Sequence, residues 1–400
     1  MSLFKRNYRG VRHGMTIVEL LVVLGVLAIL LGIAATAVKT GTRGKKQREA
    51  ARQVNAYIAA AQAKALQINR PVGIEIARNL NDVNGDGVYT SGTDTGIGNA
   101  SLLMYTIETP PPYAGDTISA GLYVDSPSLT QIDLVDDISN EVATSAAAMM
   151  SVGDIVEVRL NYRGPKYPAE VIALRNPMTM PPTPFRLRVS LPSNNRQVYY
   201  QDQFTPFQIY LQPVRTSATP LQLPTDMCID LTCSGIGNTG NQFANWVAGS
   251  NNSIRFLFSP RGNVDRVSIN GSTWGIPAGN LHMLVGKYDY AVDALDVMST
   301  DGINEVTLVP MAGGVNYVDY LTTPSDPDLT TNLSDATAMW VSVNFLTGQI
   351  TTTRNKLIQD SFITGGTFTT LSMSEQNQAI LAEARDFARS VLIVQGQGDN

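Results

Sequence analysis

Four hundred residues, 44% apolar and 16% charged, suffice for one large or two ordinary globular domains. With 33 Gly and 21 Pro, usage is near average, which excludes a collagen-like or broadly disordered chain. The net charge of −5 gives nucleic acid no electrostatic footing as a bulk partner, and two His with two Cys leave little material for zinc sites, His-based triads or redox relays.

The averages conceal one strongly biased end. Residues 1–14, MSLFKRNYRGVRHG, carry Lys5, Arg6, Arg9 and Arg12 and no acid. From Met15 to Val38 the one charged residue is Glu19, and Leu20 to Val38 is an uncharged run about as long as a bilayer-spanning helix. Lys39, Arg43, Lys45, Lys46, Arg48 and Arg52 follow, against Glu49. Residues 53–400 hold 19 basic and 32 acidic side chains, a net charge of −13 that repels phosphate backbones.

Three readings of this end compete. A cleaved secretory signal has a basic start, a short apolar core and a small-x-small site, which Ala35-Thr36-Ala37 could supply; here the run is too long and Glu19 sits inside it. A plain membrane anchor explains the length, but a carboxylate in hydrocarbon costs about 2.5 to 3.5 kcal/mol on insertion scales. The third reading is a resemblance. Gly14-Met15-Thr16-Ile17-Val18-Glu19-Leu20-Leu21-Val22-Val23 resembles the prepilin processing motif of type IV pilins and type II secretion pseudopilins. The resemblance implies cleavage between Gly14 and Met15 by a membrane-embedded prepilin peptidase, methylation of the new amine on Met15, and an assembly role for Glu19. A neighbouring subunit's terminal ammonium would pair with Glu19 in an apolar filament core and offset its desolvation. The implied partners are the peptidase, other pilin or pseudopilin subunits, an inner-membrane assembly platform and the membrane itself, with an exported head and no nucleic acid.

The helix is expected to run on past the apolar segment. Val54, Tyr57, Ile58, Ala61, Ala65 and Ile68 share one helical face, and Pro71 ends the element. From Thr16 to Ile68 it would measure on the order of 80 Å. Gly41 and Gly44 predict a kink or melted turn, beside a basic cluster from Arg43 to Arg52 that faces lipid headgroups, neighbouring subunits or solvent.

After Pro71 the period changes to two. Alternating runs predict strands at 72–76, 154–162, 185–191, 207–214, 254–259, 264–269, 283–288, 305–309, 340–345 and 349–353, the last two joined by a Gly-containing hairpin turn. Pro110 to Pro112 and Pro177 to Pro184 read as loops or edges. Ser374 to Leu392 predicts a final helix capped by Ser372 or Ser374. The fold class is α+β: a long N-terminal helix on an antiparallel β-rich head. Segments Arg48–Ile76, Ile254–Val267 and Val341–Thr352 resemble the helix-to-strand junction and core strands of the H-type, FimT-like minor pseudopilins. In that family the connection after Ile76 is much shorter. The expected layout is therefore a leader at 1–14, a helix at 15–69, a β-rich head at 70–355 with an inserted lobe at 80–250, and a helical tail at 356–400.

Asp82-Val83-Asn84-Gly85-Asp86-Gly87 resembles the start of a calcium loop, with oxygen ligands Asp82, Asn84 and Asp86 at alternate positions and a turn-forming Gly. The twelfth position is Thr93 rather than an acid, and the competing reading is a tight hairpin between two strands. In an exported head, Cys228 and Cys233 read as one local disulfide worth roughly 2 kcal/mol.

Enzyme readings are weaker. Asp94-Thr95-Gly96 copies an aspartic-protease tripeptide without the second carboxylate copy that such chemistry needs. His282 opens an apolar strand and reads as structural. A non-catalytic chain is expected, with a minor filament subunit as the leading role and a tip adhesin or ligand-binding pilin as its rival.

Overall fold

The computed structural model describes residues 17–81, 95–136, 145–176, 178–244, 253–269, 274–291 and 331–396; within the first helix, positions 31–43 are described by their backbone alone. That helix, α1, spans Ile17–Ile68. It ends where Asn69 turns into the left-handed region, φ 52°, ahead of Pro71, which has no N–H to continue the ladder. The backbone stays helical through Gly41 and Gly44, so the melted turn predicted there does not form. The molecule is α+β, with mostly antiparallel sheets and few helices.

The inner half of α1 lies across two sheets. One has six strands, in the order Val214–Arg215, Leu103–Glu108, Val72–Ala77, Ile254–Phe258, Val264–Ser268, with Leu221–Gln222 also paired to Leu103–Glu108. The other has five, in the order Ile350–Arg354, Met339–Val343, Leu281–Lys287, Met227–Ile236, Ala100–Ser101. Alternation of side chains sends Leu281, Met283 and Val285 into the core beneath α1, with Val54, Ile58, Ala61, Ala65, Ile74 and Phe256. The intervening Leu284 points the other way, into a second core with Trp340, Ile380, Leu381 and Ala384. The head is thus layered: helix, sheet, helices.

The predicted single C-terminal helix is in fact two, Met373–Ala384 and Asp386–Gly396. Ser372 caps the first with a reciprocal Glu375 capping box. Arg385 makes the break. Its fully buried guanidinium donates to the carbonyls of Gly237 at 2.7 Å, Cys233 at 2.6 Å and Gly240 at 2.8 Å, and it lies over the Trp340 ring. Those carbonyls belong to an irregular stretch where the register of Met227–Ile236 jumps between Asp230 and Gly235, and the chain following it.

The inserted lobe has its own core and a seven-stranded sheet, from Leu122–Pro127 through Phe207–Tyr210. Phe204–Thr205 pairs with Leu122–Pro127 at one edge, and Phe207–Tyr210 pairs with Ile155–Leu160 at the other. Pro206 alone separates these two edge pieces, so one short segment sews the sheet into a small barrel and leaves it no long free edge. The lobe leaves the head at Glu108 and returns at Val214, and these two residues are directly paired. The barrel's chain therefore spans about residues 109–213, a shorter stretch than the 80–250 expected for an inserted lobe. Strands Leu103–Glu108 and Met227–Ile236 complete the two head sheets and do not belong to the lobe. Local alternation cannot reveal which sheet a strand joins. The return strand is fastened by Glu75, buried in the central strand and flanked by Arg215 at 2.7 Å and Arg255 at 3.2 Å. Of the predicted strands, 305–309 lies outside the described residues.

Candidate assembly surface on the long helix

One helix carries two unlike surfaces. From Ile17 to Leu30 every described large side chain is apolar and exposed, with Ile17 at 82% and Leu21 at 66%. From Gly44 onward one stripe is sealed against the head: Gln47, Ala50, Ala51, Val54, Ile58, Ala61 and Ala65 are buried. The predicted face at Val54, Ile58, Ala61 and Ala65 is the one buried, with Tyr57 and Ile68 packed at its margin. Small Ala side chains let the helix approach the sheets closely, and Val and Ile fill the remaining depth.

Polar residues on the same stripe clasp the helix to distant turns. Gln62 Nε2 donates to the carbonyls of Gly262 at 2.7 Å and Gly348 at 3.0 Å. Both glycines have positive φ, 92° and 70°, and a Cβ on Gly348 would meet the Gly262 carbonyl oxygen at 1.8 Å. Only glycine fits at Gly348, and the two turns it helps form are those singled out in Ile254–Val267 and Val341–Thr352. Asn55 Nδ2 donates to Thr352 Oγ1 at 2.8 Å, and Tyr57 Oη donates to the Thr219 carbonyl at 3.2 Å. Gln47 Nε2 donates to Asp335 Oδ2 at 3.1 Å, and Lys287 Nζ lies 2.9 Å from the same carboxylate. Burial pushes the Asp335 acid up, but hydrogen bonds from Thr337, Lys287 and Gln47 outweigh it and hold the group below the usual carboxylate range. Lys64 and Arg70 converge on Glu108 at 2.9 and 2.7 Å, beside the exit to the barrel.

The expected site residues fare differently. Gly14 and Met15 lie outside the described residues, and of Glu19 the structure describes its place in α1. Asp82, Asn84 and Asp86 also lie outside them. The strands on either side, Asn79–Asn81 and Thr95–Ile97, pair antiparallel. Among the described residues no three His, Cys, Asp or Glu side chains come together to hold a metal.

The predicted disulfide is corrected. Cys228 and Cys233 are both free and buried on the strand Met227–Ile236. Cys228 Sγ lies 3.5 Å from the Lys287 carbonyl, whereas Cys233 belongs to the core under the C-terminal helices. The intervening Asp230, Leu231 and Thr232 extend the strand and its irregular stretch between them instead of folding back as a loop. Burial pushes both thiols up, which makes them inert. His282 is also buried, its Nδ1 2.7 Å from Ser342 Oγ, and burial together with nearby Arg385 depresses its basicity well below the ordinary histidine value.

Sequence reasoning missed Gln47, Asn55 and Gln62. The available signal was a polar residue recurring on an otherwise apolar stripe, but their partners lie 200 or more positions away.

Among the described residues no helix is long and apolar enough to cross a membrane; the run Leu20 to Val38 continues through positions described by backbone alone. Residues 9–35 match the family model of the prokaryotic N-terminal methylation motif. No curated protein and no solved structure matches the chain. The motif supports a type IV pilin-like family and indicates a precursor that a prepilin peptidase processes, anchored in the membrane, exported, and assembled with other pilin subunits.

Proposed function

We propose that this chain is a minor pilin or pseudopilin, a structural subunit of a type IV pilus or a type II secretion pseudopilus. Cleavage after Gly14 and methylation of Met15 leave α1 in the inner membrane, from which an assembly platform extracts it to pack with sister helices. The observation that carries this reading is the division of α1: an apolar half without a partner among the described residues continues a half clasped to the head. Burial of the free half, at about 25 cal/mol per Å² of apolar surface, drives packing into a filament core. Pairing of Glu19 with a neighbour's terminal ammonium sets the stagger. The barrel makes the head bulky for dense helical packing, which favours a minor position at or near the tip. The test is the intact mass and N-terminal sequence of the protein isolated from its native membranes. Methylated Met15 as the first residue is expected; a chain beginning at Val38 would make this an ordinary secreted protein.

A second reading, a tip adhesin or ligand-binding pilin, is favoured by one feature. A cleft of about 320 Å³ lies where the barrel meets the head, lined by Tyr210, Gln212 and Lys166 from the barrel side and Leu257, Arg266 and Trp274 from the head. Because the ends of the insertion are already paired, excising residues 109–213 with a short linker preserves the head. Loss of surface attachment with filament assembly intact would favour the adhesin.

A further inference from the structure

A second, smaller cavity lies where α1 leaves the head. Its volume is about 200 Å³, and its walls are Gly44 and Arg48 from the helix and Ala336, Thr337, Met339 and Arg354 from the head. Met339 opens one strand and Arg354 closes its neighbour, and the two are paired, so the cavity lies at the sheet end nearest the apolar half of α1. Arg48 reaches back toward the helix N-terminus, as helical side chains do, and its Nε donates to the Gly44 carbonyl at 3.1 Å. This leaves both of its terminal nitrogens available. Among the described residues neither Arg48 nor Arg354 has an ion-pair partner within 4.0 Å, and both are exposed. Local acids are already engaged: Asp335 by Lys287, Gln47 and Thr337, and Glu49 by Arg52 at 3.4 Å.

The placement relative to the apolar run identifies the occupant. At a rise of about 1.5 Å per residue, Gly44 lies roughly 9 Å beyond Val38 along the helix, just past the ~5 to 7.5 Å headgroup layer of one leaflet and within an arginine side chain's reach of it. Two guanidinium groups on a cavity at that level match a phosphodiester, which accepts bidentate hydrogen bonds from Arg. We propose that the cavity beside Gly44 binds the phosphodiester of an anionic phospholipid through Arg48 and Arg354, seating the head on the bilayer while the precursor waits there. The inference rests on the membrane-anchored reading of α1. Extraction of the helix would then have to break this contact as well as remove the apolar run from lipid.

The test uses the full-length precursor in nanodiscs of phosphatidylcholine with an equal share of phosphatidylglycerol, followed by native mass spectrometry of the lipid retained after mild delipidation. Wild type is expected to retain phosphatidylglycerol over phosphatidylcholine by on the order of tenfold. The double variant Arg48→Gln/Arg354→Gln should lose that preference. Gly44→Leu should lose it too by filling the cavity; a Cβ at Gly44 meets only Thr337 Cγ2, at 4.0 Å, and an unchanged melting midpoint is the control for its fold. Equal retention of both lipids by wild type, or an unchanged preference in the double variant with its melting midpoint intact, overturns the inference and leaves the anchor reading standing. Displacement of the lipid by millimolar soluble glycerophosphoglycerol overturns it in favour of a free-anion site. A precursor that fails to enter nanodiscs overturns the anchor reading and this inference together.

Discussion

The two halves of α1 share one backbone ladder but differ in what their side chains touch. Between Gly44 and Ile68 the helix is narrow, Ala-rich and punctuated by Gln47, Asn55 and Gln62, each of which reaches a hydrogen-bond partner in the head. Between Ile17 and Leu30 it is rich in large, branched apolar residues, with Glu19 the one charged position, and its described side chains touch none of the head's cores. The inner half is built for one fixed partner in its own chain. The outer half suits any apolar surround, which under the proposed function is lipid first and sister helices later. Helical hydrogen bonding is satisfied internally in both, so only side-chain chemistry separates an intramolecular contact from an intermolecular one.

Substitutions should therefore act on one half without disturbing the other. The largest effect is expected from Glu19→Ala, which should leave processing and the melting midpoint of the head unchanged but abolish filament assembly. Normal assembly, scored by electron microscopy of surface filaments or by secretion, would remove the stagger argument. Next is Ile58→Ala in the buried stripe, which should lower stability by about 2 to 5 kcal/mol in chemical denaturation. Membrane retention in carbonate extraction should not change, and a loss of retention would mean that the halves are coupled. Gln62→Ala should cost about 1 to 3 kcal/mol, because the buried Gly262 and Gly348 carbonyls would lose their donor. A cost near zero would show that water replaces the amide.

Acid should produce the smallest and most graded effect, confined to the head. His282 is held neutral below its ordinary pKa, so its contribution is complete above about pH 6.5 and declines as pH falls through that value. Asp335 and Glu75 are held below the ordinary carboxylate range, where Arg215 and Arg255 overcome the burial cost at Glu75. Their contribution is complete above about pH 4 and is lost progressively as pH falls from there through their lowered folded values. Denaturation midpoints measured from pH 8 to pH 3 should fall in two stages, while membrane retention stays flat. A stability profile without the step near pH 6.5 would show that His282 takes up its proton without penalty.

The inserted barrel adds a second lesson about what can be read locally. Its strands at Ile155–Leu160, Arg186–Ser190 and Phe207–Tyr210 were legible from alternation, because one face of each fills the lobe's core. Its boundaries were not. Nothing in the stretch around Leu103–Glu108 distinguishes a head strand from a barrel strand, since pairing with Val72–Ala77 is decided some thirty residues away. The cysteines misled for a related reason. Their spacing suits a looped clamp, but Cys228 pairs within the sheet whereas Cys233 falls in the irregular stretch between Asp230 and Gly235 and enters the other core, and both thiols are free. Arg385 likewise sits in a helix-forming run, and burial against Trp340 and three carbonyls breaks that run in two.

What the sequence determined by itself is the processing motif, the apolar run and the length of α1, because each is a contiguous pattern of charge, hydropathy or helical period. The tertiary structure alone decided how the helix divides between head and surroundings, where the barrel begins and ends, and that the thiols stay apart. Those outcomes depend on groups distant in the chain, such as Gln62 with Gly348 and Glu108 with Val214. Contacts of that kind form only when whole sheets close around a shared core, and they leave no periodic trace in the residues between them.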